Sequence, residues 1–371
     1  MTLTQTLEQQ TDHQVAREAT SSIIPLAVYP HPDESYPDDL VMTQRELVGR
    51  RVLRKGQELY CSYIERPTTG MPELAFALNF TKNYKKTKAV VGAQTFHKDT
   101  VQWQNTVANL GIMGRTLNRL PRAETVYCVG SGPALMRNWH WLEKVKGKPG
   151  VQIIGCNELL QYLPAGLLDY YMAMDWACPE RWVDKYDLSR TTAIFGPYVT
   201  PSFPKYDWKD VLWFRMGYRN DLNEMVSSKR PDLTIINPLY GVGTAELEVA
   251  WHMRPKNIVL VGHSYAYDRI DGVIYEHINE PLTENRWEGA LRGVNHYFTT
   301  DIFGKPIVTD YHILITAMMC LTCCQMLADA GIRVINATEG GILKSNPELP
   351  AYRNRPSFPE PARLEDVVKE L

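Results

Sequence analysis

From about residue 125 onward, short apolar runs alternate with longer mixed stretches. The runs are Val126–Val129, Val151–Gly155, Tyr170–Met174, Thr192–Phe195, Val211–Phe214, Thr234–Ile236, Ile258–Val261 and Ile332–Ile335. They are rich in β-branched and aromatic residues, and some, such as Ile258-Val259-Leu260-Val261, are apolar throughout, which predicts strands covered on both faces. Many of the intervening stretches have lengths that suit helices. Strands alternating with helices predict an α/β fold: a Rossmann-like, doubly wound, mostly parallel sheet with an extra region at its N-terminal side. Two helices are marked by their own spacing. Tyr311 to Ala330 carries apolar residues at 314, 317, 318, 321 and 327, with Asp310 placed to cap its start and Gly331 its end. Asp99 to Leu120 shows helical spacing in Trp103, Val107, Leu110 and Leu117 and leads into the first strand.

Elsewhere the pattern fails, and these failures divide the chain. Residues 1–20 are polar and read as disordered. Residues 21–100 form an accessory region with prolines at 25, 30, 32 and 37; its Lys82, Lys85, Lys86 and Lys88 read as a solvated face rather than a phosphate contact. Residues 101–345 hold the strand-and-helix core, and the Pro-rich tail 346–371 is expected to run extended over the surface. Within the core, the stretch from Asp268 to Lys305 loses all periodicity and carries His277, Trp287, Asn295, His296 and Tyr297, a candidate lid or substrate loop.

The 371 residues are 44% hydrophobic and 22% charged, which is ordinary for a soluble globular protein. A net charge of −2 argues against nucleic acid or an anionic membrane as partner. The first residues contain no apolar signal core, and the longest apolar stretch, Ile313 to Ala328, is short and interrupted for a membrane span. Seven cysteines, odd in number and set in apolar runs, fit a reducing compartment, so a cytoplasmic protein without membrane insertion is expected. Cys320, Cys323 and Cys324 lack a second cluster at zinc spacing and read as core.

Candidate chemistry gathers at the ends of the strands. Val126 to Val129 breaks into Gly130-Ser131-Gly132-Pro133, a glycine turn with a proline at the first position of a helix. Strand, glycine turn and helix start is the arrangement that offers backbone N–H groups and a positive helix end to a phosphate; a tight turn that binds nothing is the alternative. Leu135 stands where a dinucleotide fingerprint needs a third glycine, and no Walker lysine follows. On this reading Gly132→Val should abolish nucleotide binding without unfolding the protein. Asn157 follows the second strand and could bond a base, ribose or phosphate, or form a turn. Asp175 follows the third and could hold Mg²⁺ with substrate phosphates, or cap the next helix. His263 is a candidate base or phosphate contact, or a structural histidine. Asn336, Thr338 and Glu339 close the last strand, and the second glycine turn, Gly241-Val242-Gly243, reads as packing.

Several of these pieces stand in the order of a known family. Trp103-Gln104-Asn105-Thr106-Val107-Ala108-Asn109-Leu110, the Cys128–Leu135 loop, Met174-Asp175, Ile258–Gly262, Gly304-Lys305-Pro306-Ile307-Val308-Thr309 and Val334-Ile335-Asn336-Ala337-Thr338-Glu339-Gly340-Gly341 resemble the MptE-like 6-hydroxymethylpterin diphosphokinase family, formerly a domain of unknown function. That family is related to motility-associated glycosyltransferases and, more remotely, to sialyltransferase-like folds. The resemblance covers about residues 100–345. Ala134 departs from the family's serine, and Gly262-His263-Ser264 from its Gly-Gln-Asp, with Asp268 nearby to compensate.

The resemblance implies a nucleotide-dependent transferase acting on a small-molecule donor and an unspecified acceptor. One form is transfer of diphosphate from ATP to a hydroxymethyl-pterin-like acceptor, with Mg²⁺ at Asp175. Another is transfer of a nonulosonic or sialic-type sugar from a nucleotide-activated donor, with His263 or Glu339 as base. In both, Gly130, Ser131, Gly132, Pro133, Asn157, Asn336 and Thr338 would line the nucleotide and acceptor sites. A third form is a non-catalytic nucleotide- or sugar-binding module. A homo-oligomer is compatible with all three.

Overall fold

The structure, a computed structural model, describes residues 100–371 except 218–220, 239–240, 271–272, 279, 282–295 and 345–357; before residue 100 it describes strands alone. Lys82, Lys85, Lys86, Lys88, Trp287, Asn295 and the N-terminal twenty residues lie outside the described residues.

The apolar runs are strands: β1 Thr125–Val129, β2 Val151–Cys156, β3 Tyr170–Ala173, β4 Thr192–Phe195, β5 Asp210–Met216, β6 Thr234–Ile236, β7 Asn257–Val261 and β8 Arg333–Asn336. Glu360–Pro361 adds β9. All pair in parallel, in the order β6-β5-β4-β3-β2-β1-β7-β8-β9, and the short strand Arg115–Thr116 pairs with β5 to complete a ten-stranded sheet. Strand order therefore reverses between β1 and β7.

Period-two alternation sends successive side chains to opposite faces, and both faces are covered. Val126, Cys128, Ile154, Met172, Ile258 and Leu260 pack on one side beneath the helices α3 Val242–His252 and α4 Tyr311–Asp329. Tyr127, Val129, Ile153, Tyr171, Val259 and Val261 pack on the other, beneath α1 Leu135–Asn138, the 3₁₀ segment Trp139–Lys144 and α5 Leu364–Glu370. Each fully buried Val, Ile or Leu contributes about 1.5–3 kcal/mol through removal from water. A further helix, α2 Asp221–Lys229, lies between β5 and β6 in the chain.

Helix α4 ends as its sequence predicts. Gly331 is left-handed at φ +86°, its N–H bonds Ala328 O, and Ile332 N–H bonds Leu327 O, the paired closure of a Schellman motif. Elsewhere the connections differ from expectation. The crossovers from β1 to β5 use short 3₁₀ turns and a single α-helical turn, because Pro149-Gly150, Pro164, Pro179, Pro197, Pro201 and Pro204 interrupt them. The helix expected to reach residue 120 spans 100–110 and stops at Gly111, followed by the short strand and a 3₁₀ turn at Leu117–Arg119. The tail does not simply cross the surface. Leu364, Val367 and Val368, at helical spacing, bury α5 against the core.

The described parts of the aperiodic excursion form antiparallel ribbons. Asp268–Ile270, Val273–His277 and Glu280–Pro281 form one; His296–Thr300 and Pro306–Asp310 form another, extended by Leu26–Val28 and Val41–Met42. Arg51–Arg54, Gln57–Ile64 and Ala75–Phe80 make a separate three-stranded sheet. No helix among the described residues is long and apolar enough to cross a membrane.

Candidate functional site at the strand-order reversal

The exits of β1, β7 and β8 meet in one place. Gly130 N–H bonds Val261 O and Gly132 N–H bonds Gly262 O, both at 2.8 Å, so pairing between β1 and β7 continues past the strand ends. This corrects the expectation of a loop with its amides free for phosphate: two of them belong to the neighbouring loop. The helix that follows is a single turn, which sums few peptide dipoles and offers little positive end. Pro133 sits in the turn before it and is buried. Ser131 and Gly132 are partly exposed, and the Ser131 carbonyl accepts Ile278 N–H from the first ribbon.

The glycines are required by proximity. A Cβ on Gly130 would lie 2.9 Å from Gly262 O. One on Gly132 would collide with the same carbonyl and with Ser264, and one on Gly262 with Gly130 O. Gly132→Val would therefore strain the loop itself, so it does not isolate nucleotide binding as the sequence suggested. The β8 exit is drawn in by Thr338, whose Oγ1 accepts His263 N–H at 3.1 Å, and by Ile342 N–H on Ser264 O. Asn336 is buried; its Nδ2 donates to Leu343 O and its Oδ1 accepts Thr338 N–H, closing the turn on itself.

At the mouth, charged groups converge. Arg137 of α1 donates through Nη1 to Asp268 Oδ2 at 2.8 Å and through Nη2 to Glu339 O at 3.2 Å. Lys305, in the turn of the second ribbon, brings Nζ to 3.9 Å from Asp268 Oδ1. Asp268 is 5% exposed, whereas the Arg137 and Lys305 side chains are 38% and 65% exposed. The ribbon turn is held by Asp301 Oδ1, which accepts Phe303 and Lys305 N–H. The sequence reading named Asp268 only as a substitute, quoted Lys305 within a matching segment without giving it a role, and missed Arg137. Arg137 carries no motif of its own, and Lys305 lay in a segment without periodicity.

His263 faces inward, not toward the mouth. Its side chain is 1% exposed; Nε2 lies 3.2 Å from Glu246 Oε2 in an ion-pair contact, and Nδ1 lies 3.2 Å from the Tyr265 hydroxyl. Burial by itself pushes this histidine down, but Cys320 and Glu246 outweigh it and push it up to about 10. Burial pushes the Glu246 carboxyl up, against the pull of His263 and of Val129 N–H, which Oε1 accepts at 3.0 Å. The Cys320 thiol is drawn down to about 5, chiefly by Cys324, against burial, with His263 and Tyr265 adding to the effect. This enclosed cluster braces the last residue of β1 against the β7 exit. Glu246, Tyr265 and Cys320 went unnoticed as its members because their meeting is purely tertiary.

The other predicted residues stand apart from the mouth, two strands or one strand away along the sheet. Asp175, at the β3 exit, is exposed, and its Oδ1 accepts Trp176 N–H at 2.7 Å. Asn157, at the β2 exit, turns the chain with φ +55°, a conformation asparagine tolerates. Two asparagines on helix 100–110 hold the far exits: Asn105 donates to Trp176 O and Tyr198 O, and Asn109 to Pro197 O and Val199 O. Among the described residues, no three His, Cys, Asp or Glu side chains group as metal ligands. A preformed protein cage for Mg²⁺ is thus not what these residues present; Asp175 or Asp268 would supply single carboxylates to an ion carried by phosphates.

The sheet order defines a Rossmann-like, doubly wound α/β protein, and the β1/β7 reversal is the position at which open sheets of this kind offer a crevice. Among solved structures, the chain is similar to a MAf glycosyltransferase from Magnetospirillum magneticum AMB-1, at 15% identity and a TM-score of 0.48. The likeness covers 74% of this chain and 41% of that one, so the chain spans less than half the length of the protein it matches. No protein-family model and no curated protein matches it.

Proposed function

We propose that the chain is a nucleotide-dependent transferase, with its donor's phosphates held between the ends of β1 and β7. The observation that carries this reading is the convergence of Arg137, Asp268 and Lys305 around the turn at Gly340, at the point where strand order reverses. Guanidinium and ammonium groups there suit the negative charge that a departing nucleotide phosphate gathers. Of the reactions this charge suits, we put first glycosyl transfer from a nucleotide-activated sugar, of the nonulosonic or sialic type that the sequence resemblance implies. Diphosphate transfer from Mg·ATP to a hydroxymethyl-pterin-like acceptor is the second reading. It draws on Asp175 or Asp268, and depends mainly on positioning and charge stabilisation, so it needs no nucleophile.

A thermal-shift screen of the full chain tests both, using ATP, GTP, CMP, CMP-sialic acid and UDP-sugars with and without Mg²⁺. A ligand that binds only the folded state raises Tm by mass action. Stabilisation by CMP or a nucleotide sugar supports glycosyl transfer; stabilisation by Mg·ATP alone moves the assignment to diphosphoryl transfer. No shift with any nucleotide would overturn the donor site.

A further inference from the structure

We propose that Glu339 is a positioning residue that couples the C-terminal helix to the Arg137 guanidinium, and not a base that touches substrate. Its functional consequence rests on the crevice assigned above, whereas the coupling itself does not. Glu339 adopts φ +61°, a left-handed conformation that a residue with a Cβ holds only where its surroundings fix it. Here they do so from three sides. Oε1 accepts Asn138 Nδ2 and Leu364 N–H, each at 3.0 Å, and the carbonyl accepts Arg137 Nη2.

One residue therefore joins three elements. Leu364 is the first residue of α5, so the Glu339 carboxylate satisfies one of that helix's unpaired N–H groups. Asn138 is locked further by Ala337 O at 3.2 Å, fixing α1 against the turn after β8. Arg137, next to Asn138, then has its two terminal nitrogens directed by different partners: Nη1 by Asp268 and Nη2 by the Glu339 carbonyl. The turn itself cannot shift freely, because a Cβ on Gly341 would already strike the Ser264 backbone and Gly341 O accepts Ile302 N–H. Removing the Glu339 carboxylate should loosen α5 and let the left-handed turn relax, taking the carbonyl away from Arg137.

The test compares Glu339→Ala and Glu339→Gln in the full chain by hydrogen exchange over residues 364–370 and by the NMR signal of the Arg137 side chain. Glu339→Ala should speed exchange in α5 and shift the Arg137 signal. Glu339→Gln, whose amide oxygen accepts the same two N–H donors, should restore both. Unchanged exchange and an unchanged Arg137 signal in Glu339→Ala would overturn the coupling. Affinity for inorganic pyrophosphate, measured by calorimetry, adds the functional arm: Glu339→Ala should weaken it by about tenfold, in the range of ordinary coupling between sites, and Glu339→Gln should recover it. If Glu339→Gln restores exchange but not affinity, the carboxylate acts by its charge at the ligand and the proposal falls. If Arg137→Ala binds pyrophosphate as tightly as the wild type, the crevice assignment fails while the exchange data still decide the coupling. Should Glu339→Ala not fold, Glu339→Gln decides alone, since wild-type exchange and affinity are expected of it.

Discussion

Four glycine-to-alanine substitutions separate backbone strain from steric closure at the meeting of the β1 and β7 exits. Gly304 has φ +88° and open space where a Cβ would go, so Gly304→Ala exposes the strain alone. Gly132 has no left-handed φ, but its Cβ would meet Gly262 O and Ser264, so Gly132→Ala exposes the collision alone. Gly262 combines φ +70° with a Cβ driven onto the Gly130 carbonyl, and Gly114 has neither problem. Left-handed backbone costs an L-residue roughly 1–2 kcal/mol, and overpacking a filled site costs roughly 1–3 kcal/mol. Gly262→Ala should therefore destabilise by about 2–5 kcal/mol, close to the sum of Gly304→Ala and Gly132→Ala, and Gly114→Ala should lie within about 0.5 kcal/mol of the wild type. A difference of about 2 kcal/mol between Gly262→Ala and Gly304→Ala corresponds to roughly 3 °C in Tm for a chain of 371 residues. Thermal unfolding followed by circular dichroism, with urea titration as a second route, reads all four. Equal shifts for Gly262→Ala and Gly304→Ala would show that the two loops do not abut, and would return the glycines to a role in approaching a ligand.

Other expectations concern single side chains. Asn109→Ala leaves the Pro197 and Val199 carbonyls without their donor and should lower stability by about 2–4 kcal/mol in urea titration, whereas Val107→Ala, on the exposed side of the same helix, should change it by less than about 0.5 kcal/mol. An Asn109→Ala effect as small as that of Val107→Ala would mean these bonds do not hold the β4 exit. Lys305→Ala should cut nucleotide-induced stabilisation while leaving the unliganded Tm nearly unchanged, because the exposed Lys305–Asp268 contact contributes little by itself; a full nucleotide response in this variant would remove Lys305 from the donor site. Burial raises Glu248 from the ordinary 4.5 to about 7, against the hydrogen bonds from Asn237. A raised carboxyl adds stability that is complete below about pH 4.5 and lost as pH rises through about 7. Glu248→Gln should accordingly gain on the wild type by roughly 2–3 kcal/mol between pH 5 and pH 8, and parallel pH curves for the two proteins would contradict the buried, raised carboxyl.

Much of the scaffold can be read from local pattern because local physics decides it. Strands buried on both faces need unbroken apolar runs, and Ile258-Val259-Leu260-Val261 announces β7 for that reason. The end of α4 is legible because a left-handed C-terminal residue calls for glycine, and Gly331 supplies it. The crossovers were less legible, since the lengths between strands suit helices while the prolines within them forbid long ones. The tail misled in the same way. Its prolines overshadowed the Leu364, Val367 and Val368 spacing that makes α5 part of the core.

The crevice shows why a glycine turn is ambiguous in sequence. A phosphate that must approach backbone and a second loop that must approach backbone impose the same demand, the absence of a Cβ. Gly130 and Gly132 meet that demand toward Gly262. What distinguishes the cases is where the amides point, and that depends on which strand lies alongside β1. The neighbour is β7, more than a hundred residues away in the chain, and it takes two amides of the loop. The same reversal of order leaves Val129 N–H to a helix side chain, Glu246, which in turn meets His263 and closes the space beneath the loops. Charge for the proposed anionic donor would then come from side chains at the mouth. In the proposed donor site Arg137 and Lys305 would supply it, from a helix start and an aperiodic stretch that the sequence marks as candidates without singling out either side chain.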